Sequence, residues 1–127
     1  MSGQRGSPAR QAAGAARIDD HPALDSAPAA AVVPFSFDGM PLTGREGEPI
    51  AAALLAAGVR VFRTMPGSGE PRGGFCLVGR CVDCLVVVDG RPNVRACVTP
   101  LRAGVRVETQ RGLGAGADFG VPPEPGQ

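Results

Sequence analysis

The 127-residue chain has four cysteines, Cys76, Cys81, Cys84 and Cys97, all within the stretch PRGGFCLVGRCVDCLVVVDGRPNVRACVTP (71–100). Their spacing is C-x4-C-x2-C-x12-C. Thiols gathered this closely do one of four kinds of chemistry: they oxidise to disulfides, hold zinc, cycle as a redox pair, or cage an iron–sulfur group.

Disulfides between Cys81 and Cys84, or Cys76 and Cys84, would close only small loops with little entropic gain. The opening MSGQRGSPARQAAGAARIDD also lacks the apolar centre of a secretory signal and any paired arginines, so a reducing, cytoplasmic setting is expected. Structural zinc sites with four thiolates favour two short knuckles, and only Cys81-x2-Cys84 makes one. The C-x2-C pair suits a redox motif only at a helix N-terminus, whereas the β-branched LVVV that follows reads as strand. The plant-type [2Fe–2S] spacing, C-x4-C-x2-C with a fourth cysteine further on, matches residue for residue, with Cys97 as the distant ligand. Gly73, Gly74 and Gly79 would let the backbone wrap closely, turning N–H groups toward an anionic cluster. Spacing and loop composition favour the cluster, with zinc, a redox pair and disulfides as alternatives.

These cysteines need elements to hold them. AVVPFSFDGMPLTG (31–44) alternates apolar and polar residues around Asp38-Gly39, the pattern of a β-hairpin. In GEPIAAALLAAGVRVF, Pro49 suits the first helical position and Gly58 the left-handed residue that ends a helix. Ile50, Ala53, Leu54 and Ala57 then share one face able to cover a sheet. VRVF (59–62) is expected as a short strand, LVVVDGRPNVRA as a second hairpin hinged on Asp89-Gly90, and RAGVRVETQ as a last strand. In that strand Val105, Val107 and Thr109 would face inward, against Arg106, Glu108 and Gln110. This order describes an α+β domain, a mixed sheet packed on one helix. So small and Ala-rich a core usually needs a metal, a staple or a partner subunit.

Composition bounds the rest. Gly and Pro number 19 and 13; residues 1–30, rich in Ala, Gly, Ser, Pro and Arg without a sustained period, and the Gly/Pro-rich 112–127 are expected as disordered tails around a domain at 31–111. The lone His21 falls in the first tail and receives no role. A net charge of +1 gives no electrostatic reason for nucleic-acid binding, and no apolar run reaches the roughly 20 residues of a membrane span. The G-x-G of GLGAGADFG has no strand-to-helix unit around it to bind a nucleotide.

The stretches FSFDGMPLTGREGEPIAAALLAAG and PRGGFCLVGRCVDCLVVVDGRPNVRACVTPLRAGVRVETQ resemble the small (2Fe–2S)-binding subunits of bacterial multi-subunit flavin-dependent amino- and imino-acid dehydrogenases and oxidases. These include hydrogen cyanide synthase, opine oxidases and hydroxyproline dehydrogenases; a related domain opens the α subunit of sarcosine oxidase. The resemblance spans residues 35–110, and PRG-x-F-C, DG-x-PNVRAC and V-x-TQ carry it. It implies a β-grasp, [2Fe–2S] ferredoxin-like fold, one cluster on Cys76, Cys81, Cys84 and Cys97, and FAD- or FMN-containing partner subunits that oxidise the substrate. The chain itself offers no candidate base or nucleophile, and its implied role is to carry single electrons. One departure stands out: relatives often have Gly directly after the first ligand, where this chain has Leu77.

Arg72, Arg80, Arg91 and Arg95 flank the ligands, opposed by Asp83 and Asp89. Arg80, inside the ligand loop, is the one expected to act on the cluster, because nearby cations favour its reduced form. The rival readings are a zinc-bound or cluster-free structural subunit and a free-standing ferredoxin. The near-neutral charge suits a fixed subunit interface better than the steered docking of an acidic ferredoxin.

Overall fold

The computed structural model describes residues 17–18, 22–23 and 30–114. His21 and most of the two expected tails lie outside these residues. Strand β1 (Val32–Phe37) pairs antiparallel with β2 (Met40–Arg45), and Asp38 and Gly39 turn between them at φ 50° and 81°. Both central positions of a tight hairpin turn require positive φ, which Asp and Gly accept. Helix α1 (Ile50–Ala56) follows. Strands β3 (Arg63–Thr64) and β4 (Pro71–Arg72) form a short ladder; β5 (Leu85–Val88) and β6 (Arg91–Arg95) form the second hairpin, and β7 (Arg106–Arg111) closes the order.

Strand β7 joins these pieces into a mixed sheet of seven strands among the described residues. It runs parallel to β1 and β3 and antiparallel to β5, with Phe37 and Val88 both paired to Val107. Helix α1 buries Ile50, Ala53 and Leu54 completely, with Ala57 beside them, against Phe35, Phe37, Leu42, Phe62, Leu101 and Val107. It ends as expected on Gly58 at φ 91°: the Gly58 N–H bonds to the Leu55 carbonyl and that of Val59 to Leu54. A mixed sheet holding one helix among the described residues is the ferredoxin-like, β-grasp architecture.

Four details differ from the sequence reading. Pro49 is the N-cap rather than the first helical residue, with ψ of 140°. The strand expected over 59–62 forms at Arg63–Thr64 instead, since Phe62 is where the chain first bonds to its neighbours, receiving an N–H from Gln110 and donating to Arg72. Strand β4 lies in what reads as a Pro/Gly loop; as an edge strand it tolerates a proline. Along β7 the alternation holds through Val107 and then breaks. Thr109 is half-buried while Gln110, expected outward, is fully buried, because its end leaves β1 and β5 to pair with β3.

Candidate metal centre

The segment from Gly73 to Cys84 leaves β4, loops outward and enters β5. Two of its residues have positive φ, Leu77 at 57° and Gly79 at 80°. Such alternation turns successive N–H groups to one side, a concavity that favours anions. Here the anion position is a sulfur. The Cys76 Sγ accepts N–H groups from Val78, Arg80 and Cys81 at 3.4, 3.2 and 3.3 Å, and Cys81 Sγ accepts that of Asp83 at 3.4 Å. The Val78 N–H above all, with those of Arg80 and Cys81, lowers the Cys76 pKa to about 6, against a smaller opposing push from burial. Cys76 is therefore poised as a thiolate, the form that binds metal.

The other two cysteines are held from the opposite direction. Cys84 immediately precedes β5 and Cys97 follows β6; both belong to the hydrophobic core, at 1 % and 6 % exposure. The hairpin carries the chain back so that the Ala96 N–H bonds to the Cys84 carbonyl. The start of α1 then fixes the turn around Cys97: Ile50 N–H donates to the Thr99 carbonyl and Ala51 N–H to that of Ala96. These are orphan donors of a helix start that has no side-chain cap, so helix and ligand turn satisfy one another. Burial pushes the Cys84 thiol up, and the adjoining Cys97 thiol adds to the effect.

The four thiols thus form two pairs. Cys81 neighbours Cys76, donating its main-chain N–H to the Cys76 Sγ, and Cys97 neighbours Cys84; none forms a disulfide. Among the described residues, no three Cys, His, Asp or Glu side chains converge on a point that could hold a single ion. A binuclear cluster takes two protein ligands on each iron, so two separate pairs lined by N–H donors are the donor set it requires. The residues fit the group.

The flanking residues behave unequally. Gly79 supplies the positive φ, and a Cβ there would press on Val98 at 3.2 Å. Gly74 lies under the Leu77 side chain, which a Cβ would meet at 2.8 Å. At Gly73 the obstacle is backbone: a Cβ would collide with the Arg60 carbonyl oxygen. Arg80 reaches Cys76 through its main-chain N–H, and its side chain is exposed. Arg95 donates from Nε to the Cys81 carbonyl, while Arg72 joins Glu70 at 2.9 Å and Asp83 at 3.6 Å. Asp89 does not oppose the loop arginines; its carboxylate accepts the Arg106 N–H.

Sequence reasoning missed two residues. Arg63, only 4 % exposed, donates to the carbonyl of Val82, between two cysteines, and to that of Gly112. Gln110 pairs with Asn93 beneath the second hairpin. Arg63 carried no signal, but Asn93 and Gln110 lie in DG-x-PNVRAC and V-x-TQ, where asking what each amide bonds to would have linked them.

Comparison with known proteins agrees with this geometry. Residues 30–112 match the family described as the 2Fe-2S iron-sulfur cluster binding domain. The chain belongs to that family. It is 42 % identical over 74 residues to hydrogen cyanide synthase subunit HcnA of Pseudomonas aeruginosa, covering 58 % of this chain and 70 % of that one. A stretch of 81 residues is 35 % identical to the sarcosine oxidase α subunit of Rhizobium meliloti, covering 60 % of this chain but 8 % of the relative. Among solved structures, L-proline dehydrogenase from P. horikoshii superposes with a TM-score of 0.57 at 27 % identity, over 65 % of this chain and 16 % of that one. Among the described residues no helix is long and apolar enough to cross a membrane.

Proposed function

We propose that this 2Fe-2S domain is the electron-carrying subunit of a flavin-dependent amine or imino-acid dehydrogenase or oxidase, with Cys76 and Cys81 ligating one iron and Cys84 and Cys97 the other. The observation that carries it is the division of four thiols into two pairs, the outer one inside a cradle of main-chain N–H groups. When bound, such a cluster takes up and releases one electron at a time. The cradle neutralises thiolate charge without a side-chain base, the glycines at 73, 74 and 79 keep the backbone close, and Arg80 sets a positive charge at the loop surface that favours the reduced form. Substrate oxidation belongs to FAD- or FMN-bearing partners, in keeping with relatives named for sarcosine and L-proline. The segments 1–30 and 112–127 flank the working domain, and four free thiols suit the cytoplasm.

The test is the anaerobically purified chain. Two irons and two acid-labile sulfides per chain are expected, with visible absorption that bleaches on dithionite, and Cys→Ala at any of the four positions abolishes the colour. A colourless protein with one zinc per chain overturns the ligand assignment; a native complex without a flavoprotein overturns the partner assignment.

A further inference from the structure

Large apolar side chains that the fold leaves exposed are concentrated around the metal centre. Phe75 is 77 % exposed, Val78 67 % and Val98 56 %, with Leu77 and Val82 nearly half exposed. Four of the five lie in the cysteine loop and the fifth next to Cys97. The close approach of Val98 to Gly79 brings the fifth against the loop that carries the other four. They rim the side where Cys76 and Cys81 are half-buried, while Cys84 and Cys97 face the core.

We infer that this rim, centred on Phe75, is the face on which the flavin-bearing subunit docks, as a lasting interface rather than a transient encounter. The inference rests on the function proposed above and deepens it by naming the surface. Exposed apolar patches of this kind mark interaction sites, and lasting interfaces are the more apolar ones. Leu77 adds an independent sign. It holds a left-handed φ of 57° that glycine would adopt without strain, and although its side chain lies over Gly74 it stays 44 % exposed. The apolar surface left open there is available to a partner.

Charge describes the partner further. Arg80 and Arg95 are exposed beside the patch, whereas Asp83 faces Arg72. The complementary surface is an apolar socket with an acidic collar. Two relatives carry the matching domain inside a far longer chain.

The experiment compares the tagged full-length chain, Phe75→Glu/Val98→Glu and a control, Val32→Glu on the first hairpin, each purified anaerobically from the native host. Flavin and iron per chain and the sedimentation coefficient are measured. Wild type and control retain a flavoprotein in fixed ratio; the double variant loses it by at least about tenfold with its iron unchanged. Hydrogen exchange of the wild-type complex against the free wild-type chain is expected to show protection at 75–82 and 97–99, which needs no variant to fold. Retention of flavin by the double variant, protection only elsewhere, or a homodimer that the double variant dissolves each overturns the docking face. A wild-type chain that brings down no flavoprotein overturns the proposed function, and this face with it.

Discussion

Asn93 and Gln110 hold each other through a reciprocal pair of hydrogen bonds, the Asn93 N–H on Gln110 Oε1 at 2.6 Å and Gln110 Nε2 on Asn93 Oδ1 at 2.9 Å. Gln110 is wholly buried, and Asn93 sits at φ 63°, a conformation asparagine accepts more readily than most residues. The pair ties β6, which leads to Cys97, to the strand at the centre of the sheet. Gln110→Leu strands the Asn93 groups and is expected to cost about 2–3 kcal/mol in urea denaturation. Asn93→Ala is expected to cost more than Asn93→Gly, because alanine is also strained at that φ. A double-mutant cycle showing no coupling would refute the pairing.

Arg63 holds the ligand loop from below. Both of its hydrogen bonds go to main-chain carbonyls, and its Nε has no partner, so the buried guanidinium is a tether with little other reward. Arg63→Met is expected to leave the domain folded but to free Val82, lowering stability by about 2 kcal/mol. Loss of visible absorbance in excess chelator is expected to quicken severalfold. Arg63→Lys is expected to resemble Met, since one ammonium cannot reproduce the planar two-pronged contact. A wild-type release rate in both variants would remove Arg63 from the site.

The loop separates two kinds of glycine requirement. Leu77→Gly relieves a left-handed residue and is expected to stabilise the cluster-free domain by about 1 kcal/mol. Gly73→Ala drives a methyl group into the Arg60 carbonyl and is expected to destabilise it by about 2 kcal/mol or more. Urea midpoints of the two variants are expected to move in opposite directions, and parallel shifts would contradict the loop conformation.

Acid sensitivity has an identifiable source in Glu48. Its carboxylate receives both prongs of Arg17, at 2.8 and 2.6 Å, and the Arg45 N–H at 2.7 Å. Burial alone would raise its pKa, but the Arg17 bonds, the Arg45 N–H and the two positive charges outweigh it and hold it below the ordinary 4.5. A carboxylate depressed in the folded state stabilises fully above its unfolded pKa, and that contribution fades as pH falls through the folded value. Unfolding midpoints of the wild type are expected to drop below about pH 4.5, whereas Glu48→Gln starts about 1 kcal/mol lower and loses less over the same range. Identical pH profiles would refute it.

The parts of this molecule legible in sequence are those governed by local chemistry. Asp38-Gly39 and Asp89-Gly90 announce turns because few other residues accept those angles, and the 50, 53, 54, 57 face announces a helix. The cysteine spacing announces the 2Fe-2S family because its C-x4-C-x2-C run is local. What stayed hidden depends on long-range partners. Gln110 reads as a surface residue until Asn93 is placed opposite it, and Arg63 reads as one more exposed arginine until the loop is folded over it. The strand beginning at Arg63 rather than Val59 was hidden for the same reason, since its start is set by Arg72 and Gln110.

Cys84 and Cys97 stand at the open end of the β5–β6 hairpin, whose other end is the Asp89-Gly90 turn. The cluster proposed above, bound to both sulfurs, would make that hairpin a closed ring with no free end from which to fray. Held also by Cys76 and Cys81, it would tie the outer loop to this ring, and the site would act as a clasp joining stretches that the sheet alone leaves separate. Losing the metal would then register first as a loosening of residues 73–97, with the first hairpin and its helix still in place.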